Sequence, residues 1–221
     1  MRRSIARGVA AGIVVLLLVG ALGARLDLWT LELPRPEGTW AWTLSRAASV
    51  SAYLALTLDV LFGLFLSTAA ADRWIARARS VEIHRFLSLA ALGLTAAHAL
   101  AMLGDRYVPF DVLDITVPFL AGYRRLGVGM GVAAMWLAVL VHASFALRAR
   151  IGPRVWRAVH YLAFVVFALA TLHGVTAGTD TRATWMQLLY GAAGVSVAGL
   201  TLVRVALALA PLSRGRSVST R

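Results

Sequence analysis

The chain has 221 residues, of which 60% are hydrophobic and 14% charged, against roughly 25% charged in an ordinary soluble domain. A mean hydropathy of +0.77 is more apolar surface than a soluble fold of this size can hide, so the expected solvent is a bilayer. The formal net charge is nevertheless +12, with all 22 basic residues Arg, and the lack of Cys excludes disulfides, thiolate metal sites and Cys-attached haem.

Six apolar stretches, near 8–24, 47–70, 83–103, 126–147, 155–175 and 185–210, are each long enough to cross a hydrocarbon core of ~30 Å as a helix. The expected fold class is therefore all-α, a polytopic membrane bundle of six transmembrane helices. The first stretch follows Arg2 and Arg3 and ends in small residues at Ala21 through Ala24, so it also has the shape of a secretory signal peptide. We read it as a retained helix that, with its following loop, makes up residues 1–46. The bundle proper is expected over 47–210, and a cytoplasmic tail over 211–221.

Connections between the stretches carry turn formers: Pro34, Pro36 and Gly38; Pro109 and Pro118; Gly152 and Pro153; and the run from Gly178 to Thr181. Gly127-Val128-Gly129 lies inside an apolar stretch and follows no strand pattern, so it reads as helix packing and not as a dinucleotide motif. Trp74, Trp136, Trp156 and Trp185 fit interface belts or packing.

Arginine placement gives the orientation. The N-terminus, the second and fourth loops and the tail together hold fifteen Arg against two acids, Asp72 and Glu82. The opposite side holds seven Arg, Arg46 among them, against seven acids. By the positive-inside rule both termini are expected in the cytoplasm. The charge thus marks topology, and it no longer argues for nucleic acid.

Five His fall within the apolar stretches or at their ends, and an ionisable residue inside a membrane is expensive. His84 and His98 are 14 residues apart on the third segment, and His160 and His173 are 13 apart on the fifth. These segments run in the same direction. Similar depths then pair His84 with His160 near the cytoplasmic face and His98 with His173 nearer the outer face. A 14-residue step is ~21 Å along a helix, enough to stack two haems, and close to four turns, so both His face one way. The 13-residue step leaves its two His about 140° apart on an ideal helix, so helix tilt, a π-bulge or a kink is expected to make up the difference. Two axial His saturate an iron for electron transfer, and without Cys the haem is a non-covalent b type. Zinc fits less well, because two His per depth with no nearby carboxylate are too few ligands.

Asp59 sits mid-membrane in the second segment and His142 near the cytoplasmic end of the fourth. Asp59 reads as protonated or hydrogen-bonded, with a proton or quinone role as the alternative, and His142 as a structural hydrogen bond, with a quinone-site or alternate-ligand role as the alternative. Arg85 and Arg157 flank the inner His residues, where they either anchor the cytoplasmic face or meet haem propionates. Arg124 and Arg125, beside Tyr123, are placed to anchor the outer interface or to meet outer propionates or an acidic partner.

The run from His84 to Leu89, ending in Ala97-His98, resembles the third helix of ferric-reductase-like transmembrane domains. Trp156-Arg157-Ala158-Val159-His160-Tyr161 and Leu172-His173-Gly174 resemble that family's fifth helix. The loop from Asp105 to Pro109 and Tyr123-Arg124-Arg125 are similar to those of its bacterial members. The resemblance spans about 47–205 and implies haem axial ligands at His84, His98, His160 and His173. In size the chain is similar to the haem-binding membrane subunit of the bacterial methionine sulfoxide reductase system. The expected function is a b-type cytochrome of the bacterial cytoplasmic membrane, an electron-transfer subunit holding two haem b groups. Its expected donor is a cytoplasmic flavin reductase or a membrane quinol, and its acceptor an extracytoplasmic redox protein, with sulfoxide reductase the implied class. The alternatives are a stand-alone ferric reductase and a non-redox membrane scaffold or transporter.

Overall fold

A computed structural model describes residues 40–68 and 76–209. The first apolar stretch, Arg73, Trp74 and the tail lie outside these residues. The described chain is all-helical: α1 (Trp40–Thr68), α2 (Arg77–Met102), a short α3 (Val112–Thr116), α4 (Arg125–His160), α5 (Leu162–Ala177) and α6 (Thr184–Leu209). Four helical stretches are long and apolar enough to cross a membrane, one of them the 53 residues of Arg125–Ala177.

That long stretch folds back on itself. Gly152 leaves the helical region at φ 77°, ψ 162° and is followed by Pro153. A side chain rarely adopts this backbone, and proline cannot donate into the preceding turn, so the two residues together make the reversal. The reversal lays α5 against the first half of α4. A Cβ on Gly127 would stand 3.1 Å from that of Ala177, and one on Gly131 would stand 2.6 Å from the His173 ring. Gly127 and Gly129 therefore act as packing surface, Gly129 receiving the Phe119 ring.

The helix on the far side of the reversal is itself interrupted at Tyr161, directly after His160. There the Phe164 N–H donates to the Tyr161 carbonyl at 3.2 Å, a three-residue step in place of a four-residue one. A tighter turn changes the helical phase between His160 and His173, where the 13-residue spacing calls for a change.

α1 packs chiefly on α2, with further contacts to α5 and α6. Its apolar core with the last two joins Tyr53, Val60 and Leu64 to Phe167, Ala193 and Val197. The Tyr53 ring stacks on Phe167, meets Tyr190 edge-on, and shares a hydrogen bond of 3.0 Å with the Thr171 hydroxyl. At the Arg-rich end, Arg204 Nε donates to Ser67 Oγ at 3.1 Å. Outward faces carry large apolar side chains such as Leu126, Phe86 and Leu188, the pattern of helices solvated by lipid.

At the opposite end, residues 103–124 fold over the bundle. α3 is held by a reciprocal capping pair, Asp111 and Asp114, each carboxylate accepting from the other's backbone N–H. Trp136 Nε1 donates to the Thr116 carbonyl at 2.7 Å and ties this segment to α4. Five residues are too few to give an apolar period, so α3 has no signature in the sequence. α1 begins at Trp40, which places Arg46 inside a helix and not in the loop expected before residue 47.

Replacing Gly152 by Ala forces a side chain into this glycine-only backbone, a cost of about 1–3 kcal/mol. Thermal unfolding in detergent should show a lower midpoint for this variant. Gly93→Ala, which meets nothing within 4 Å, should leave the midpoint unchanged or raise it.

Candidate functional site

The four His of the two long-spaced pairs meet across the bundle. The His84 and His160 rings lie with centroids 6.1 Å apart at 83°, and the His98 and His173 rings 6.1 Å apart at 65°. One pair is toward the Arg-rich end and the other toward the opposite end, because α2 and the α4–α5 rod carry their His in the same order.

Hydrogen bonds at Nδ1 hold three of the four rings. His98 Nδ1 donates to the Ser45 carbonyl at 3.0 Å, with Ser45 Oγ 2.8 Å away. The Ser45 hydroxyl proton is directed to Met102 Sδ at 2.9 Å. His173 Nδ1 donates to the Gly127 carbonyl at 2.8 Å, and the close approach this needs is what glycine at 127 and 131 allows. His84 Nδ1 donates to the Asp59 carbonyl at 3.1 Å. A carbonyl can only accept, so each of these bonds places the ring proton on Nδ1 and leaves Nε2 as the nitrogen with a free lone pair. His160 is held differently, by stacking: the Trp156 ring lies over it at 5.2 Å and 23°.

The two pairs differ in charge. Asp59 Oδ1 is 2.7 Å from His84 Nδ1, yet it is buried and receives no well-aligned hydrogen bond. The partners of His98 and His173 are a hydroxyl and backbone carbonyls, all neutral.

A cavity of about 280 Å³ lies between α1, α2, α4 and α5. It extends along α1 from Trp42 to Val60, a rise of ~27 Å. His98, His173, Asp59 and His142 all open on it, whereas His84 and His160 are not part of its wall. His142 Nδ1 stands 3.4 Å from the Ser88 hydroxyl. The wall is predominantly apolar, which lowers the local dielectric and strengthens each polar contact inside.

The arginines fall into two groups. Arg85 and Arg157 are exposed at the Arg-rich end and do not border the cavity. Arg124 donates to the Thr176 carbonyl at 3.0 Å and Arg125 to the Phe119 carbonyl, so both tie the 103–124 segment to the bundle. The guanidinium at the cavity mouth belongs to Arg46, which pairs with Asp180 and lies 5.1 Å over the Trp42 ring. Arg46, Ser45, Gly127, Gly131 and Asp180 are site residues that the sequence does not announce. Loop Asp180 and helical Arg46 are 134 positions apart, and only the fold brings them together.

Gly131→Ala should push its new methyl against the His173 ring at a cost of about 1–3 kcal/mol. Its detergent unfolding midpoint should fall, while Gly191→Ala, with nothing within 4 Å, should match the parent protein.

No curated protein and no solved structure matches the chain. A family model described as Domain of unknown function (DUF8596) matches residues 40–180, a stretch that begins with α1, contains both His pairs and ends at Asp180. That stretch is well over half of the chain, and the chain belongs to the DUF8596 family.

Proposed function

We propose that this chain is a membrane cytochrome of b type that carries electrons between the two faces of a bilayer. The observation that carries this reading is the pair of facing imidazoles at each of two depths. An iron roughly 2 Å from one nitrogen of each ring puts the ring centroids roughly 6 Å apart. Both pairs stand at 6.1 Å. Three of the rings have Nδ1 tied to an acceptor, which aims Nε2 as a ligand and fixes the tautomer that ligation needs. Among the described residues no three His, Asp or Glu converge as they would around a bare ion. Two imidazoles per site instead suit an iron whose other four ligands come from a macrocycle.

His84 and His160 would hold the inner haem, and His98 and His173 the outer one. Bound there, haem b supplies one-electron exchange between ferric and ferrous iron. The residues around it bind and orient. Ser45 and Gly127 hold the outer rings, Trp156 holds His160, and Gly131 gives His173 room to turn. Arg46 at the mouth is the cation placed to meet a propionate, in exchange for or beside Asp180. Held by two imidazoles, a haem at either site would exchange electrons and offer no ligand position to oxygen or substrate.

The arginine distribution supports an orientation with the His84 end in the cytoplasm, and the family resemblance supports a bacterial inner membrane. The donor is a reduced flavin of a cytoplasmic reductase or a membrane quinol, and the acceptor is an extracytoplasmic redox protein. The resemblance to the sulfoxide-reductase membrane subunit supports that class of acceptor.

The test is a haem assay on detergent-purified protein. Two haems per chain are expected, and each of the single substitutions His84→Ala, His98→Ala, His160→Ala and His173→Ala should lose about half the haem. Protein that carries no haem, or variants that keep the full amount, would contradict the proposal and favour a scaffold in which the His residues only pack.

A further inference from the structure

The two His pairs have the same spacing and different electrostatic surroundings. Beside His84 stands the Asp59 carboxylate, with Oδ1 2.7 Å from Nδ1. Its Oδ1 is buried and, among the described residues, has no well-aligned hydrogen-bond partner. Gly63, on the same face of α1 one turn on, clears the space for the His84 ring, since a Cβ there would be 3.3 Å from Cε1. The arginine next in sequence, Arg85, points to solvent. Among the described residues the outer pair has no carboxylate at its nitrogens. Of the two acids bordering the cavity near it, Asp180 is paired with Arg46, and Asp105 accepts from the Tyr107 N–H at 2.8 Å.

We infer that Asp59 is a positioning residue that sets the inner site at a lower reduction potential than the outer site, so that electrons run downhill from the Arg-rich face to the opposite one. The inference rests on the haem reading above. A carboxylate against the far nitrogen of an axial imidazole makes that ligand more basic, and its negative charge stabilises the oxidised, more positive iron. Neutral carbonyl and hydroxyl partners at His98 and His173 have a weaker pull in that direction. The low-dielectric surroundings magnify the difference, because little water screens it. With haem b held at both pairs, the inner site would give one electron to the outer, and a reduced flavin or quinol would replace it, supplying its two electrons one at a time and releasing its protons to the solvent on its own side.

The experiment is a spectroscopic redox titration of the purified full chain in detergent at one fixed pH. The parent protein should give two one-electron waves. His84→Ala should abolish the lower wave and His98→Ala the higher one. Asp59→Asn should raise the lower wave toward the higher and leave the higher in place, whereas Ser45→Ala should move only the higher. Loss of the higher wave in His84→Ala would overturn the inference even if Asp59→Asn does not assemble. An Asp59→Asn protein whose waves stay put, or whose higher wave moves, would overturn it too. In each of those cases the parent protein still carries two haems and the haem reading stands. Parent protein without haem overturns both together.

Discussion

An imidazole in an apolar interior must place its ring proton on an acceptor, and the rest of this structure is arranged around that requirement. The unpaired N–H of a buried ring costs about 1–3 kcal/mol. Helices offer few acceptors, because their carbonyls already serve the backbone. The bundle meets the need with the second lone pair of helical carbonyls at Ser45, Asp59 and Gly127. Each choice fixes a ring plane as well as a proton. With Nδ1 of three rings bound to a neighbouring helix, the four rings stand in two pairs with centroids 6.1 Å apart.

Backbone proximity follows from the same demand. A side chain can reach a carbonyl on an adjacent helix only if the helices come close, and close approach needs small residues at the contact. Gly127 and Gly131 supply this for His173. Gly63 supplies it for His84. The reversal at Gly152 and Pro153 then sets α4 antiparallel to α5, and the tightened turn at Tyr161 adjusts the phase between the two His of one rod. The polar partners on α1 span the site: Ser45 serves the outer pair and Asp59 the inner one, 14 residues apart like the two His they hold on α2. That matching interval is what lets two straight helices service two depths.

Much of this is visible in the sequence for a simple reason. Apolar length marks the helices, and a His in such a run is rare enough to be noticed. Counting along two parallel helices pairs His84 with His160 and His98 with His173. The 13-residue step also shows that a bend is needed, though not that it falls at Tyr161, which has no special backbone chemistry. Acceptors such as the carbonyls of Ser45 and Gly127 have no residue signature at all, since every residue owns one. Arg46 counts as loop charge until α1 is seen to begin at Trp40. Arg124 and Arg125 look free for a ligand until the fold directs them to backbone carbonyls. Asp59 is conspicuous as a carboxylate in an apolar run, but its neighbour His84 is 25 positions away and is supplied by the packing of α1 on α2.

Electron paramagnetic resonance of the oxidised, detergent-purified chain at low temperature tests the paired-imidazole account most directly. Two low-spin ferric signals of the bis-imidazole kind are predicted, one for each pair. A high-spin ferric signal in the intact protein, or no ferric haem signal at all, would contradict it.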